Sequence, residues 1–193
     1  MSTSKDALQE IKNDFRVLYH DKMKAQKKIN IFCVDDDAVF LSILENEIKK
    51  TELFEIKVDS FINGLSCLKH IDAGPQIVIL DYYLDENKEN EINGIDILKK
   101  IKKISPDSYV VMLSAQDKIE VAVNSMKHGA FDYIVKNESS FARIQNVIKN
   151  IAFNINLKKE IQAYKYGSIA AASFIISIVI SIVILNILFP RLF

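Results

Sequence analysis

The sequence predicts an α/β fold, a doubly wound parallel sheet of five strands with helices on both faces. Between residue 29 and about residue 150, short apolar segments alternate with helical patterns five times. Three of the segments are nearly continuous apolar runs, as expected for parallel strands that are covered on both faces. Strand and helix alternation also favours right-handed crossovers between parallel strands. We therefore expect one compact domain in this part of the chain.

The predicted elements follow one another in a regular order. The five predicted strands are 29–34, 54–58, 77–80, 109–113 and 131–135, with the sequences INIFCV, FEIKV, IVIL, YVVML and FDYIV. After each strand, apolar residues recur at helical spacing. The positions that predict the helices are Phe40, Leu41, Leu44 and Ile48; Leu65 and Leu68; Ile95, Ile97, Leu98 and Ile101; Ile119, Val121, Ala122 and Met126; and a fifth helix from about Ser139.

Polar side chains that carry chemistry stand directly after the apolar runs. Asp35 and Asp36 follow the first strand, Asp81 the third, Ser114 the fourth and Lys136 the fifth. Ligands of doubly wound sheets bind beyond the carboxyl ends of the strands. Three carboxylates in one crevice need a cation, and an all-oxygen set suits Mg²⁺. A carboxylate there can attack a phosphoryl group whose charge is neutralised nearby, which predicts phosphoryl transfer to aspartate.

Four motifs resemble those of the receiver domain of response regulators in two-component signalling. They are VDDD at 34–37, ILDYYL at 79–84, MLSA at 112–115 and DYIVK at 132–136. The resemblance covers about residues 29–150. It implies a flavodoxin-like fold and a signalling phosphoacceptor rather than an enzyme. A histidine kinase or phosphotransfer protein would then donate the phosphoryl group.

The resemblance assigns a role to each residue of the predicted site. Asp81 would be phosphorylated, and Lys136 would bind the phosphoryl group. Asp35 and Asp36, together with Asp81 and the backbone carbonyl of Tyr83, would coordinate Mg²⁺. All of these residues match the family's motifs in this sequence.

The resemblance also implies a switch. Ser114 would be the switch hydroxyl and Tyr133 the switch aromatic, which would turn inward when the serine moves toward the phosphoryl group. The sequence departs from the family at two places: Asn137 follows the lysine where a proline is usual, and the polar loop 85–93 is longer than usual. We expect the loop to be tolerated surface variation, because surface loops commonly accept insertions.

Charge is distributed unevenly along the chain. Residues 1–28 contain seven Lys/Arg and four Asp/Glu, residues 29–136 twelve and nineteen, and residues 137–193 six and two. Nucleic acid requires a concentrated basic surface, so the acidic middle excludes it as a partner. The basic ends instead favour an anionic lipid surface. Cys33 and Cys67 have apolar neighbours and no disulfide-scaffold spacing, so we expect both to be reduced core residues.

The C-terminal part of the sequence predicts a membrane anchor. Residues 167–189 contain no charged side chain. At about 1.5 Å per residue such a helix reaches roughly 34 Å, enough to cross a bilayer. The lysines of the preceding juxtamembrane helix, 151–166, place the domain in the cytoplasm by the positive-inside rule. We therefore expect a single-pass inner-membrane protein with an amphipathic or basic segment at 1–28 and a short far-side tail at 190–193.

The expected output is contact with a membrane or cytoplasmic protein, since the predicted elements after Lys136 include no DNA-binding or catalytic domain. The apolar stripe of the juxtamembrane helix is too short for a coiled-coil prediction, so a homodimer stays open. Two alternatives also stay open. One is a Mg²⁺-dependent aspartyl-phosphate phosphohydrolase, although such enzymes usually carry DxD where this chain has Asp81-Tyr82-Tyr83. The other is a phosphate-independent, membrane-bound binding module.

Overall fold

The computed structural model describes residues 28–51, 54–84 and 93–188, with side chains to residue 182. The predicted segment 1–28, apart from its last residue, lies outside the described residues, and so do positions 85–92 of the long loop and the tail 190–193. The chain divides into two compact units, the first ending at Ala152 and the second beginning at Phe153.

Five parallel strands form one sheet in the order β2-β1-β3-β4-β5, which confirms the predicted fold class. Because the chain moves outward from β1 to β2 and then crosses back to β3, the strand order reverses between β1 and β3. This is the switch point at which doubly wound sheets open a crevice. The strands are β1 Ile29–Val34, β2 Ile56–Phe61, β3 Ile77–Asp81, β4 Tyr109–Ser114 and β5 Asp132–Val135.

The second strand differs from its prediction at 54–58, because it begins at Ile56 and extends to Phe61. Phe54 is buried outside the strand, so its apolar character reports burial rather than strand pairing. β2 is an edge strand with β1 as its neighbour in the sheet. The polar residues Asp59 and Ser60 are compatible with that position, and they interrupt the apolar pattern that predicted the earlier end.

Three helices of the first unit begin at side-chain caps. The side chains of Asp37, Asn63 and Asn93 accept hydrogen bonds from backbone N–H groups of the first turns of α1, α2 and α3, respectively. Such caps satisfy donors that a helix leaves unpaired at its start. The helices are α1 Ala38–Lys49, α2 Gly64–Lys69, α3 Gly94–Ile104, α4 Ile119–Lys127 and α5 Ser140–Leu188, with a 3₁₀ turn at Ile71–Ala73.

The core of the first unit is built from the central strands and the apolar faces of the helices. The strand residues Phe32, Val78, Leu80 and Met112 are almost completely buried in it. Both cysteines are buried and free, as predicted. Burial raises the pKa of the Cys67 thiol to about 12, so this side chain is a neutral core residue.

α5 is one continuous helix of 49 residues. Its first turns bury Ile144, Ile148 and Ile151 in the first unit. Its later part presents large apolar side chains, among them Phe174 at 68% exposure. Within the described residues it is the one helix long and apolar enough to cross a membrane, by length and composition.

Candidate functional site

Polar residues that end or directly follow four of the strands meet at the carboxyl ends of the strands. The strand register pairs Val34 with Leu80, so Asp35 and Asp81 follow at the same level on adjacent strands. The backbone N–H of Lys136, the first residue beyond β5, donates to the carbonyl of Ser114 at 2.8 Å. The ladder of the sheet therefore brings together the site residues that the sequence predicts at separate strand ends.

Three carboxylates form the acidic part of the site. Ligand oxygens of Asp35, Asp36 and Asp81 all lie within 4.8 Å of one another. Asp35 and Asp81 are only 1% and 4% exposed, whereas Asp36 is exposed. Oxygens on opposite sides of one Mg²⁺ ion are about 4 Å apart, because each lies at about 2.0–2.1 Å from the metal. The widest oxygen separation exceeds this span by less than about 1 Å, so small side-chain rotations would let the three carboxylates share one cation.

Lys136 provides the positive charge of the site. Its Nζ lies 2.6 Å from Asp35 Oδ2 and 3.0 Å from Asp81 Oδ2. Burial opposes the charged form of this lysine, but hydrogen bonding to Asp35 and the charge of Asp81 outweigh burial and raise its pKa. Lys136 is therefore a firmly charged ammonium group between two buried carboxylates.

One ammonium group does not balance three carboxylates, which leaves two negative charges in the site. Burial raises the pKa of Asp81 to about 6, in spite of the opposing charge of Lys136. Burial also raises the pKa of Asp35. A divalent ion with oxygen ligands would neutralise the remaining charge, so the donor set fits Mg²⁺.

Backbone groups orient the two buried carboxylates. Asp35 Oδ1 accepts a hydrogen bond from the N–H of Asp37 at 3.0 Å, and Asp81 Oδ1 accepts one from the N–H of Tyr82 at 2.8 Å. Each carboxylate therefore binds a backbone donor through Oδ1 and Lys136 through Oδ2. These contacts fix the orientation of both side chains in the crevice.

Gly94 lies against the backbone of the acidic site. Its N–H donates to the carbonyl of Tyr82 at 2.8 Å. A Cβ at this position would collide with the carbonyl oxygen of Asp81 and would lie 2.8 Å from the Cα of Tyr82. Only glycine fits here without a backbone shift, so the start of α3 is packed directly on the strand end that carries Asp81.

Ser114 and Tyr133 both form hydrogen bonds with the backbone of Gln116. The N–H of Gln116 donates to Ser114 Oγ at 3.1 Å, and its carbonyl accepts from the Tyr133 hydroxyl at 2.7 Å. Tyr133 is 9% exposed and belongs to the core, so its ring already points inward in this structure. Burial raises the pKa of its phenol. The two predicted switch residues thus form hydrogen bonds with the backbone of the same residue, Gln116.

Asn137 begins a tight turn after Lys136, and its side chain and its carbonyl both accept hydrogen bonds within that turn. Its Oδ1 accepts from the N–H of Ser139 at 3.0 Å and from the Ser139 hydroxyl at 2.8 Å. Its carbonyl accepts from the N–H and the hydroxyl of Ser140. Asparagine therefore shapes the entry to α5 where the family usually has proline.

Two roles predicted from the sequence stay predictions. Tyr83 lies two residues beyond Asp81, and its ring contacts that of Tyr82 edge to face at 4.7 Å. The role of its backbone carbonyl in binding Mg²⁺ stays a prediction. The long loop lies outside the described residues from 85 to 92, so its expected neutrality also stays a prediction.

The structure adds residues to the site that the sequence patterns did not assign to it. Phe40 and Phe141 form an aromatic pair beside Lys136, and Asp37 caps the helix that carries Phe40. An aspartate before an apolar helix is a readable cap signal. The aromatic pair could not be predicted from the sequence, because an apolar residue at helical spacing predicts a core position.

Comparison with known proteins defines the class to which this site belongs. The model of the response regulator receiver domain matches residues 31–149. The chain therefore belongs to the response regulator receiver domain family. Receiver domains are signalling phosphoacceptors that bind Mg²⁺ at an acidic pocket and interact with histidine kinases or phosphotransfer proteins.

Relatives of the chain include both long and short proteins. The chain is 33% identical over 141 residues to an NtrX-like response regulator of Rickettsia conorii, and the match covers 69% of this chain and 28% of that protein. It is 34% identical over 102 residues to the chemotaxis protein CheY of Listeria monocytogenes, covering 52% of this chain and 81% of CheY. The chain thus spans less than a third of the length of the NtrX-like relative.

Solved structures show the same fold. NtrX from Brucella abortus is 28% identical with a TM-score of 0.57, and the match covers 70% of this chain and 30% of that one. The receiver domain of a LuxO repressor protein from Vibrio parahaemolyticus has a TM-score of 0.61 at 19% identity, covering 70% and 98% of the two chains. At that identity the second likeness concerns the fold alone.

We predict that Gly94→Ala destabilises the protein by about 1–3 kcal/mol, because the new methyl group forces the end of β3 and the start of α3 apart. Gly167→Ala is the matched control, since nothing lies within 4 Å of a Cβ at that position. Its effect should be a stabilisation of no more than about 1 kcal/mol, because alanine is favoured over glycine inside a helix such as α5. Denaturant unfolding of the full chain in detergent measures both. Equal stability of Gly94→Ala and the unchanged protein would contradict the close approach.

Proposed function

We propose that this protein is a membrane-tethered response regulator that accepts a phosphoryl group on Asp81. The observation that carries the proposal is the position of Lys136, 3.0 Å from Asp81 and 2.6 Å from Asp35, beside a cluster of three carboxylates. The phosphoryl donor is a histidine kinase or phosphotransfer protein.

The reaction transfers one phosphoryl group between two side chains. A carboxylate oxygen of Asp81 attacks the phosphorus atom of a phosphohistidine, the phosphorus–nitrogen bond breaks, and its electron pair returns to the imidazole of the donor. The product is an acyl phosphate on Asp81. The deprotonated form of Asp81 is the nucleophile, and the ammonium of Lys136 favours that form.

The site residues stabilise the charge that develops on the phosphoryl oxygens. Lys136 donates from its ammonium group, and the Ser114 hydroxyl donates once it turns from Gln116 toward the phosphoryl group. Asp35, Asp36 and the carbonyl of Tyr83, with Asp81 itself, would coordinate Mg²⁺. The bound ion would supply further neutralisation of phosphoryl charge.

The proposed switch passes from Ser114 through Gln116 to Tyr133. When Ser114 moves toward the phosphoryl group, its hydrogen bond with the N–H of Gln116 is lost. The carbonyl of the same residue binds the Tyr133 hydroxyl, so the segment before α4 and the phenol respond together. The surface formed by α4, β5 and α5 is then the output surface for a membrane or cytoplasmic protein partner.

The membrane part of the proposal rests on α5. The proposed transmembrane segment is 167–189, the proposed juxtamembrane helix is 151–166, and the proposed receiver domain is 29–150. Lys158, Lys159 and Lys165 precede the apolar segment, which favours a cytoplasmic receiver. Tethering raises the effective concentration of the receiver toward membrane-bound partners.

We predict that the full chain in detergent, with Mg²⁺ and acetyl phosphate, becomes labelled on one acyl phosphate at Asp81. Asp81→Asn should abolish labelling because the nucleophilic carboxylate is gone. Asp59→Asn is the matched control, since that carboxylate pairs with Lys57 on the edge strand, away from the site. Radiolabelled phosphate and peptide mass spectrometry give the measurement. Undiminished label in Asp81→Asn would refute the assignment.

We predict that Ser114→Ala and Tyr133→Phe weaken the response of α4 to phosphorylation while Asp81 still binds beryllofluoride, a phosphoryl mimic. The Tyr133 variant keeps the buried ring and loses the hydroxyl that bonds to the carbonyl of Gln116. Hydrogen exchange of residues 116–127, with and without the mimic and Mg²⁺, measures the response. Tyr109→Phe on the neighbouring strand serves as control. A full response in both switch variants would eliminate the route through Gln116.

We predict that the full chain remains with membranes at high salt and is released by detergent, because a spanning helix does not depend on screened surface charge. The double variant Ile176→Lys with Val179→Lys should lose membrane integration, since each lysine at a helix centre costs about 2.5–3.5 kcal/mol. Tyr164→Lys, before the apolar segment, is the control. Recovery of the unchanged protein in the soluble fraction at high salt would argue for a peripheral helix.

A further inference from the structure

Lys136 has a third neighbour besides the two carboxylates. Its Nζ lies 4.5 Å from the centroid of the Phe40 ring. This distance is within the range in which an aromatic face attracts a cation. The side chain of Lys136 is 20% exposed, so the ammonium is partly withdrawn from water. Both carboxylates and the ring therefore contact a partly desolvated cation.

The ring of Phe40 is itself fixed from two directions. Phe141, at the start of α5, stacks on it with a centroid distance of 5.6 Å and an interplanar angle of 26°. On its own helix, the N–H of Phe40 donates to Asp37 Oδ1 at 3.1 Å. Phe40 thus lies in the capped first turn of α1 and against the first turn of α5.

These contacts form a closed cycle that begins and ends at Asp35. Asp35 Oδ1 accepts from the N–H of Asp37, the Asp37 side chain caps α1 and binds Phe40, and Phe40 covers Lys136. Lys136 returns to Asp35 through Oδ2. A displacement of the Phe40 ring would consequently change the position of the ammonium that faces Asp81.

We propose that Phe40 is a positioning residue that directs the Lys136 ammonium toward Asp81 through a cation–π contact, with Phe141 as its support. The attraction restricts the flexible four-carbon side chain of the lysine, which otherwise has many rotamers. It also shields one side of the ammonium from water. This inference rests on the proposed function of Asp81 as phosphoacceptor and adds a residue that determines its rate of phosphorylation.

The test exploits the electron distribution of the ring. Phenylalanine with one, two or three ring fluorines is incorporated at position 40 of the full chain in detergent. Fluorination weakens the attraction for a cation with little change in ring size. The rate constant for labelling by acetyl phosphate with Mg²⁺ should fall progressively, by roughly 3–10-fold for the trifluorinated ring. The same series at position 141 is the matched control, because that ring does not face the cation directly.

A second measurement does not require phosphorylation. In NMR spectra of the full chain with ¹³Cε-labelled lysine, the ε-methylene protons of Lys136 should be shifted upfield by the Phe40 ring current. Lys136→Arg assigns the signal. Phe40→Leu should remove the upfield shift, and Phe40→Tyr, which keeps an aromatic ring, should retain it.

Each outcome decides the proposal. A graded decline at position 40 with a much flatter series at position 141 supports it. No decline at position 40, or equal slopes at both positions, overturns it, because packing alone would then explain the effect. If the unchanged protein is not labelled at all, the proposed function fails. The ring-current shift then tests the contact between Lys136 and the Phe40 ring by itself, and an unshifted Lys136 signal overturns this inference too.

Discussion

The ion pairs of Lys136 with Asp35 and Asp81 are the contacts on which the site depends. They connect residues that directly follow or end β1, β3 and β5, and the lysine is 101 positions from Asp35 in the chain. A buried charge is costly unless it is paired, so each of these side chains needs the others in place. The doubly wound sheet meets this requirement because its parallel strands end at the same edge.

The site is nevertheless unbalanced in charge, and backbone contacts hold its buried carboxylates in place. Burial raises the pKa of Asp81 to about 6, which shows that its ionised form is disfavoured by its surroundings. Backbone donors orient both buried carboxylates, and the close approach of Gly94 fixes the strand end beneath one of them. Such perturbed carboxylates in a cleft are typical of functional sites. Stability and reactivity therefore depend on the same residues.

The fold and most of the site could be predicted from local patterns. Strand and helix periods gave all five strands, and the polar residues after them identified the carboxylates, Ser114 and Lys136 in advance. Only the bounds predicted for β2 were wrong, because the apolar character of Phe54 marks burial rather than strand pairing. The inward position of Tyr133 and its link to Ser114 were not predictable, because they depend on the backbone of Gln116 in a loop.

The sequence by itself determined the order of elements, the chemistry at the strand ends and the apolar character of the C-terminal helix, since these follow from residue type and spacing along the chain. The tertiary structure alone decided which side chains touch. Phe40 has the spacing of an ordinary core residue, and only the packing of α1 against α5 places its ring on Phe141 and over Lys136. Contacts between residues about 100 positions apart depend on how the elements pack, and a one-dimensional pattern carries no record of that packing.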